Sequence, residues 1–136
     1  MKRTLFSLLT CAFLLIAASA FAGDIPDMKG TWYCEGTLVA GVERGIYSNP
    51  EAKNSLVIEK QEGRVFLGYK EWTLKGKQYS EKLCGGIAVD GEIYIAEHDD
   101  GVMHGDLSED GTKLTVFYVE SGPDAKVIEL IYIRKQ

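Results

Sequence analysis

Histidine is nearly absent from this 136-residue sequence. His98 and His104 are the only two, and their spacing matches no familiar metal site, so neither a metal centre nor another cofactor is expected. Proline and cysteine number three each, and no segment reads convincingly as a helix or as a solenoid repeat. Basic charge is also short: 15 Lys and Arg against 20 Asp and Glu give a formal charge of −5. A scattered acidic surface attracts neither nucleic acid nor an anionic membrane, so both are excluded as expected partners. Catalytic signatures are missing too. The serines and cysteines sit in no nucleophile motif, and Glu71, Glu97 and Glu120 each lack a motif partner. His98-Asp99-Asp100-Gly101 reads as a solvated charged turn rather than an acid–base pair. The expectation is that the chain is not an enzyme.

The first 22 residues have the three parts of a secretory signal peptide. Lys2 and Arg3 form a positive start, Leu5 to Ala18 is an uncharged apolar run, and Ala20-Phe21-Ala22 is a small-residue cleavage site. The run is short for a membrane span, and Cys11 lies inside it rather than just after it, which argues against an anchor or a lipid attachment. The expected product is an exported chain, periplasmic or extracellular, of residues 23–136 with no stable membrane insertion. Loss of Lys2 and Arg3 takes its charge from −5 to −7. Its length suits a single domain with one core. Only Cys34 and Cys84 remain after cleavage. In an oxidising compartment they either form a disulfide or stay as two small hydrophobes that never meet, and both readings stand at this point.

The mature chain is rich in Gly, Tyr, Val and Ile and alternates with a period of two, the pattern of half-buried strands. Strands are predicted at 30–39, 55–60, 64–73, 79–89, 92–97, 102–107, 112–120 and 126–134, with a loop from Ala40 to Asn54. Asp90-Gly91 is the strongest hairpin signal. Eight short strands joined mostly by hairpins predict an all-β fold, an antiparallel up-and-down barrel that closes on itself. On the first strand, alternation assigns Trp32, Cys34, Gly36 and Leu38 to one face.

In a meander, successive turns alternate between the two ends of the barrel. The tight turns at 61–63, 90–91 and 108–111 therefore share one end. The connections at 40–54, 74–78, 98–101 and 121–125 share the other, which is the expected mouth.

Gly30-Thr31-Trp32 on the first strand and Arg134 on the last resemble the calycin pattern of lipocalins and avidins. That resemblance implies that Trp32 plugs the closed end and Arg134 packs across it. The size is similar to an avidin, and Leu56 to Tyr69 looks similar to an avidin second hairpin. The polar residues with which avidins read biotin are replaced by Cys34, Gly36 and Leu38, and Trp72 is the only other tryptophan, so biotin is not the expected ligand.

The leading expectation is an exported binding protein for a small apolar or amphipathic ligand or a peptide. The candidate ligand residues at the mouth are Tyr47, Tyr69, Glu71, Trp72, His98, Tyr118 and Glu120. Tyr69 and Glu71 share one strand face while Phe66 and Trp72 share the other, so only one pair can point inward. The alternative is a barrel that acts through its outer surface and an N-terminal arm, Gly23 to Lys29, similar in outline to periplasmic bacterial metalloprotease inhibitors, or a structural module. The oligomeric state is left open.

Overall fold

The computed structural model describes residues 24–49, 53–99 and 101–136. The signal peptide and its cleavage site lie outside the described residues, as does Asp100 of the charged turn. The described chain is built of strands: β1 (Gly30–Gly41), β2 (Gly45–Ser48), β3 (Lys53–Glu62), β4 (Val65–Leu74), β5 (Lys77–Ile87), β6 (Ile93–Glu97), β7 (Val102–Leu107), β8 (Lys113–Glu120) and β9 (Lys126–Arg134). Every pairing is antiparallel, and β1 pairs with β9 along almost its whole length. The eight long strands close into an up-and-down barrel, as the alternation predicts, and closure leaves no long unpaired edge.

The predicted loop at 40–54 is corrected. β1 runs on to Gly41, turns at 42–44 and returns as β2, which pairs with Leu38 to Gly41. β3 pairs with the other end of the same β1 edge, from Gly30 to Tyr33. β2 and β3 therefore divide one edge of β1 between them, and the Thr37 hydroxyl ties the return to β1 by donating to the Asn49 carbonyl at 2.8 Å.

The face assignment on β1 is also corrected. The register with β9 slips between Cys34 and Gly36, a bulge that inserts Glu35 as an unpaired residue. Beyond it the alternation inverts. Trp32, Cys34, Thr37 and Val39 face inward, while Gly36 and Leu38 face out, and Leu38 is exposed.

The tight ends differ in detail from expectation. Asp90-Gly91 sits within a longer connection, because β5 ends at Ile87 and the Ala88 N–H donates to the Glu92 carbonyl at 2.8 Å. At the other end, 74–78 contracts to the two-residue turn Lys75-Gly76, both at positive φ.

The closed half of the barrel is filled. Trp32, Leu56, Ile58, Phe66, Ile87, Ile93, Ile95, Met103, Leu114, Val116 and Tyr132 form one packed cluster with Met28. Residues 24–29 cross the base of this core. Met28 is fully buried, its carbonyl accepts the Trp32 indole N–H at 2.9 Å, and its N–H donates to Gln61 Oε1 at 2.7 Å. Gln61 Nε2 also donates to the Pro26 carbonyl. The segment expected as a projecting arm is thus docked from Pro26 onward. Arg134 lies over the Trp32 ring and donates to the Lys29 carbonyl. Gly30 makes that crossing possible, since its φ of +123° is a backbone state that other residues rarely adopt.

Candidate functional site

The mouth half of the barrel is not filled by apolar side chains. Charged residues occupy inward positions where the strand pattern would otherwise continue the core: Lys70 after Phe66 and Gly68, Glu81 before Leu83, Glu97 after Ile93 and Ile95, and Glu120 after Val116 and Tyr118. Together with Asn54, Trp72, Lys126, Ile128 and Leu130 most of them wall a cavity of about 610 Å³. It lies at the end opposite the Trp32–Arg134 contact.

An ion pair forms part of its base. The Lys70 ammonium bonds both carboxylate oxygens of Glu97, with the lysine side chain 13% exposed and the glutamate 0%. The same ammonium lies 4.9 Å from the Trp72 ring centroid and 5.0 Å from that of Tyr118, so two aromatic faces and one carboxylate hold it. Trp72 stacks in turn on Tyr79, with centroids 5.5 Å apart. Tyr118 is seated against Gly101, where an added Cβ would come within 2.2 Å of the phenol ring.

The remaining carboxylates are engaged as well. Glu81 Oε1 accepts the Asp99 N–H at 2.6 Å, which ties Asp99 to the wall. Glu120 accepts from Lys126 and from the Tyr118 hydroxyl. The Lys126 hydrogen bond is the main cause that holds the Glu120 carboxyl below its ordinary range. Deeper in the barrel lie Tyr132, fully buried, and Cys34. Burial pushes both up in pKa, and the charges of Cys34 and Glu97 add to the effect on Tyr132. Among the described residues neither the Tyr132 hydroxyl nor Asn54 Oδ1 has a hydrogen-bond partner, and both atoms are buried.

The structure divides the seven candidate residues. Trp72, Tyr118 and Glu120 meet in the cavity. Tyr69 and Glu71 fall on the outer face of β4, because Phe66, Gly68, Lys70 and Trp72 take the inner one. His98 stays at the rim with its side chain in solvent, 2.8 Å from Asp99. Tyr47, on β2, lines a separate concavity of about 310 Å³ with Val39, Arg44 and Lys126. Lys70, Glu81, Asn54 and Lys126 were not among the candidates. Their signal was present all the same, as charged or amide residues in phase with an inward apolar series.

The two cysteines do not meet. Cys34 faces inward on β1 and Cys84 is exposed on the outside of β5; both are free thiols. Cys84 belongs to an apolar row that crosses the sheet through directly paired residues: Leu67, Cys84, Ala96, Val102, Val119 and Val127. All six are exposed. Over β4 to β7 this row borders a shallow concavity of about 1060 Å³, larger than the mouth cavity and walled on one side by Lys60 to Glu62. Its lining is mainly apolar, with Lys29, Lys60, Gln61, Glu62 and His104 at its edges, whereas the mouth combines aromatic faces with convergent charges. The mouth is the better-built site for a small molecule.

No family model matches this chain, and no curated protein matches it.

Proposed function

We propose that the protein is an exported, calycin-like barrel that binds a small amphipathic molecule in the mouth cavity. One observation carries this reading. The barrel interior is packed at the Trp32 end, yet at the other end it holds a walled cavity of about 610 Å³, where aromatic rings and charged groups converge. A barrel with no recruiting function is most simply filled throughout, since buried ion pairs add little stability over apolar packing. The Trp32–Arg134 contact supports the calycin comparison, and the charged leader supports export. Biotin is a poor candidate: the inward residues of β1 beyond Trp32 are Cys34, Thr37 and Val39, and the Thr37 hydroxyl is already committed to Asn49.

The outer apolar row favours a second reading, in which the barrel docks a protein partner through β4 to β8. A fragment screen read by amide chemical shifts separates the two. Saturable shifts centred on Trp72, Tyr118, Lys126 and Leu130 are expected. Shifts centred on Leu67, Cys84, Ala96 and Val102 would move the function to the outer surface.

A further inference from the structure

The charge of the mouth cavity is opposite in sign to that of the protein around it. Its lining carries four lysines, Lys53, Lys70, Lys75 and Lys126, against two glutamates, Glu81 and Glu120, and with the Glu97 carboxylate that binds Lys70 at the base the group keeps one positive charge in excess. The whole chain has net charge −5. The lining carboxylates are also occupied: Glu81 by the Asp99 amide, Glu120 by Lys126 and the Tyr118 hydroxyl. Two of the lysines are not. Among the described residues neither Lys53 nor Lys75 forms an ion pair, and both are exposed at the rim. Glu71 and Asp99, the acidic neighbours of this rim, do not line the cavity. The Asp99 carboxylate faces His98, and Glu71 is on the outer face of β4, where it lines a second concavity that Lys53, at the rim between the two, also borders.

We infer that the ligand of this cavity is an anion with a planar apolar body, of the class of aromatic or unsaturated carboxylates. This inference rests on the mouth-cavity reading above. Trp72, Leu74, Ile128 and Leu130 supply the apolar contact, and the rim lysines receive the carboxylate. A cationic concavity in an acidic protein concentrates field lines on itself, so it draws anions that the rest of the surface repels. A cationic ligand would meet only carboxylates that already have partners. A neutral ligand would gain nothing from Lys53 and Lys75.

Three probes of one shape and three charges test this: 2-naphthoate, 2-naphthylmethanol and 2-naphthylmethylammonium, each titrated into the purified protein by calorimetry and amide shift mapping. The expected order is naphthoate tightest and the ammonium weakest, with shifts at Trp72, Leu74, Ile128 and Leu130. The affinity for naphthoate, but not for the alcohol, should fall with added salt. The double substitution Lys53→Gln, Lys75→Gln touches no described ion pair. It should weaken naphthoate by about fivefold or more and leave the alcohol unchanged. If the ammonium binds best at the same residues, or if the double variant weakens alcohol and naphthoate equally, the charge assignment is wrong while the cavity stands. If none of the three perturbs these residues, the cavity is not a ligand site and both readings fall together.

Discussion

Arg134 lies across the indole of Trp32, its guanidinium carbon 5.1 Å from the ring centroid. The contact joins the last strand to the first at the point where the barrel closes, because Trp32 and Arg134 are direct partners in the β1–β9 ladder. It also brings in the chain before β1, since Trp32 donates to Met28 and Arg134 to Lys29. Closure, core and N-terminal segment thus share one junction. Trp32→Ala should cost about 3–5 kcal/mol, as truncation of a fully buried aromatic does. Urea unfolding measures it. A loss below about 1 kcal/mol would mean that the side chain is not part of the core.

Lys70 and Glu97 should behave as a unit. Lys70→Met removes the cation that bonds the buried Glu97 carboxylate and should destabilise the fold by about 3 kcal/mol or more. Adding Glu97→Leu removes the buried negative charge as well and should recover part of that loss. Four proteins in a double-mutant cycle decide it, and strictly additive losses would show that the two side chains do not depend on each other.

The turn between β7 and β8 predicts an acidic titration. The Ser108 hydroxyl, and then the Thr112 hydroxyl and N–H, donate to Asp110 and lower its pKa to about 2. A carboxyl depressed in the folded state favours folding above its unfolded pKa, and that contribution is lost as pH falls through the folded value. The Thr112 amide should therefore titrate with a midpoint near 2 in the folded protein. A midpoint near 3.8 would mean that these hydrogen bonds do not persist in solution. Glu120 follows the same sign, so Glu120→Gln should flatten part of the acid limb of the stability profile.

Thiol chemistry should distinguish the cysteines. Cys84 is exposed, while Cys34 is half-buried and its thiol is pushed up by burial. A thiol reagent such as 5,5′-dithiobis(2-nitrobenzoate) should give one fast and one slow phase on the native protein. Cys84→Ser should abolish the fast phase. Absence of any free thiol in the native protein would require a bridge that this arrangement of β1 and β5 does not permit.

Much of this molecule was legible from local pattern. Period-two alternation and glycine-bearing turns identified the eight long strands, and the parity of a meander located the closed and open ends. The contact of Trp32 with Arg134 was implied by the calycin resemblance, and meander geometry agrees with it, since the start of the first strand must meet the end of the last. These inferences succeed because they depend only on a residue's neighbours in sequence and on the geometry that every antiparallel hairpin shares.

What remained for tertiary structure was phase. The bulge at Glu35 inverts the inward face of β1, and no local signal in Tyr33-Cys34-Glu35-Gly36 announces it, because the slip is fixed by the partner strand β9. β2 forms on an edge that β3 leaves unpaired, which depends on where two distant strands stop. The choice between Trp72 and Glu71 as the inward residue was likewise undecidable along β4, where both faces carry large side chains. It was decided when Lys70, on the face of Trp72, met Glu97 two strands away on β6. The sequence by itself determined that a barrel forms and which end opens, because hydrophobic periodicity and turn chemistry are local. Only the closed structure decided which charges share the mouth, because the energy of a buried charge depends on partners that the chain brings together from far apart.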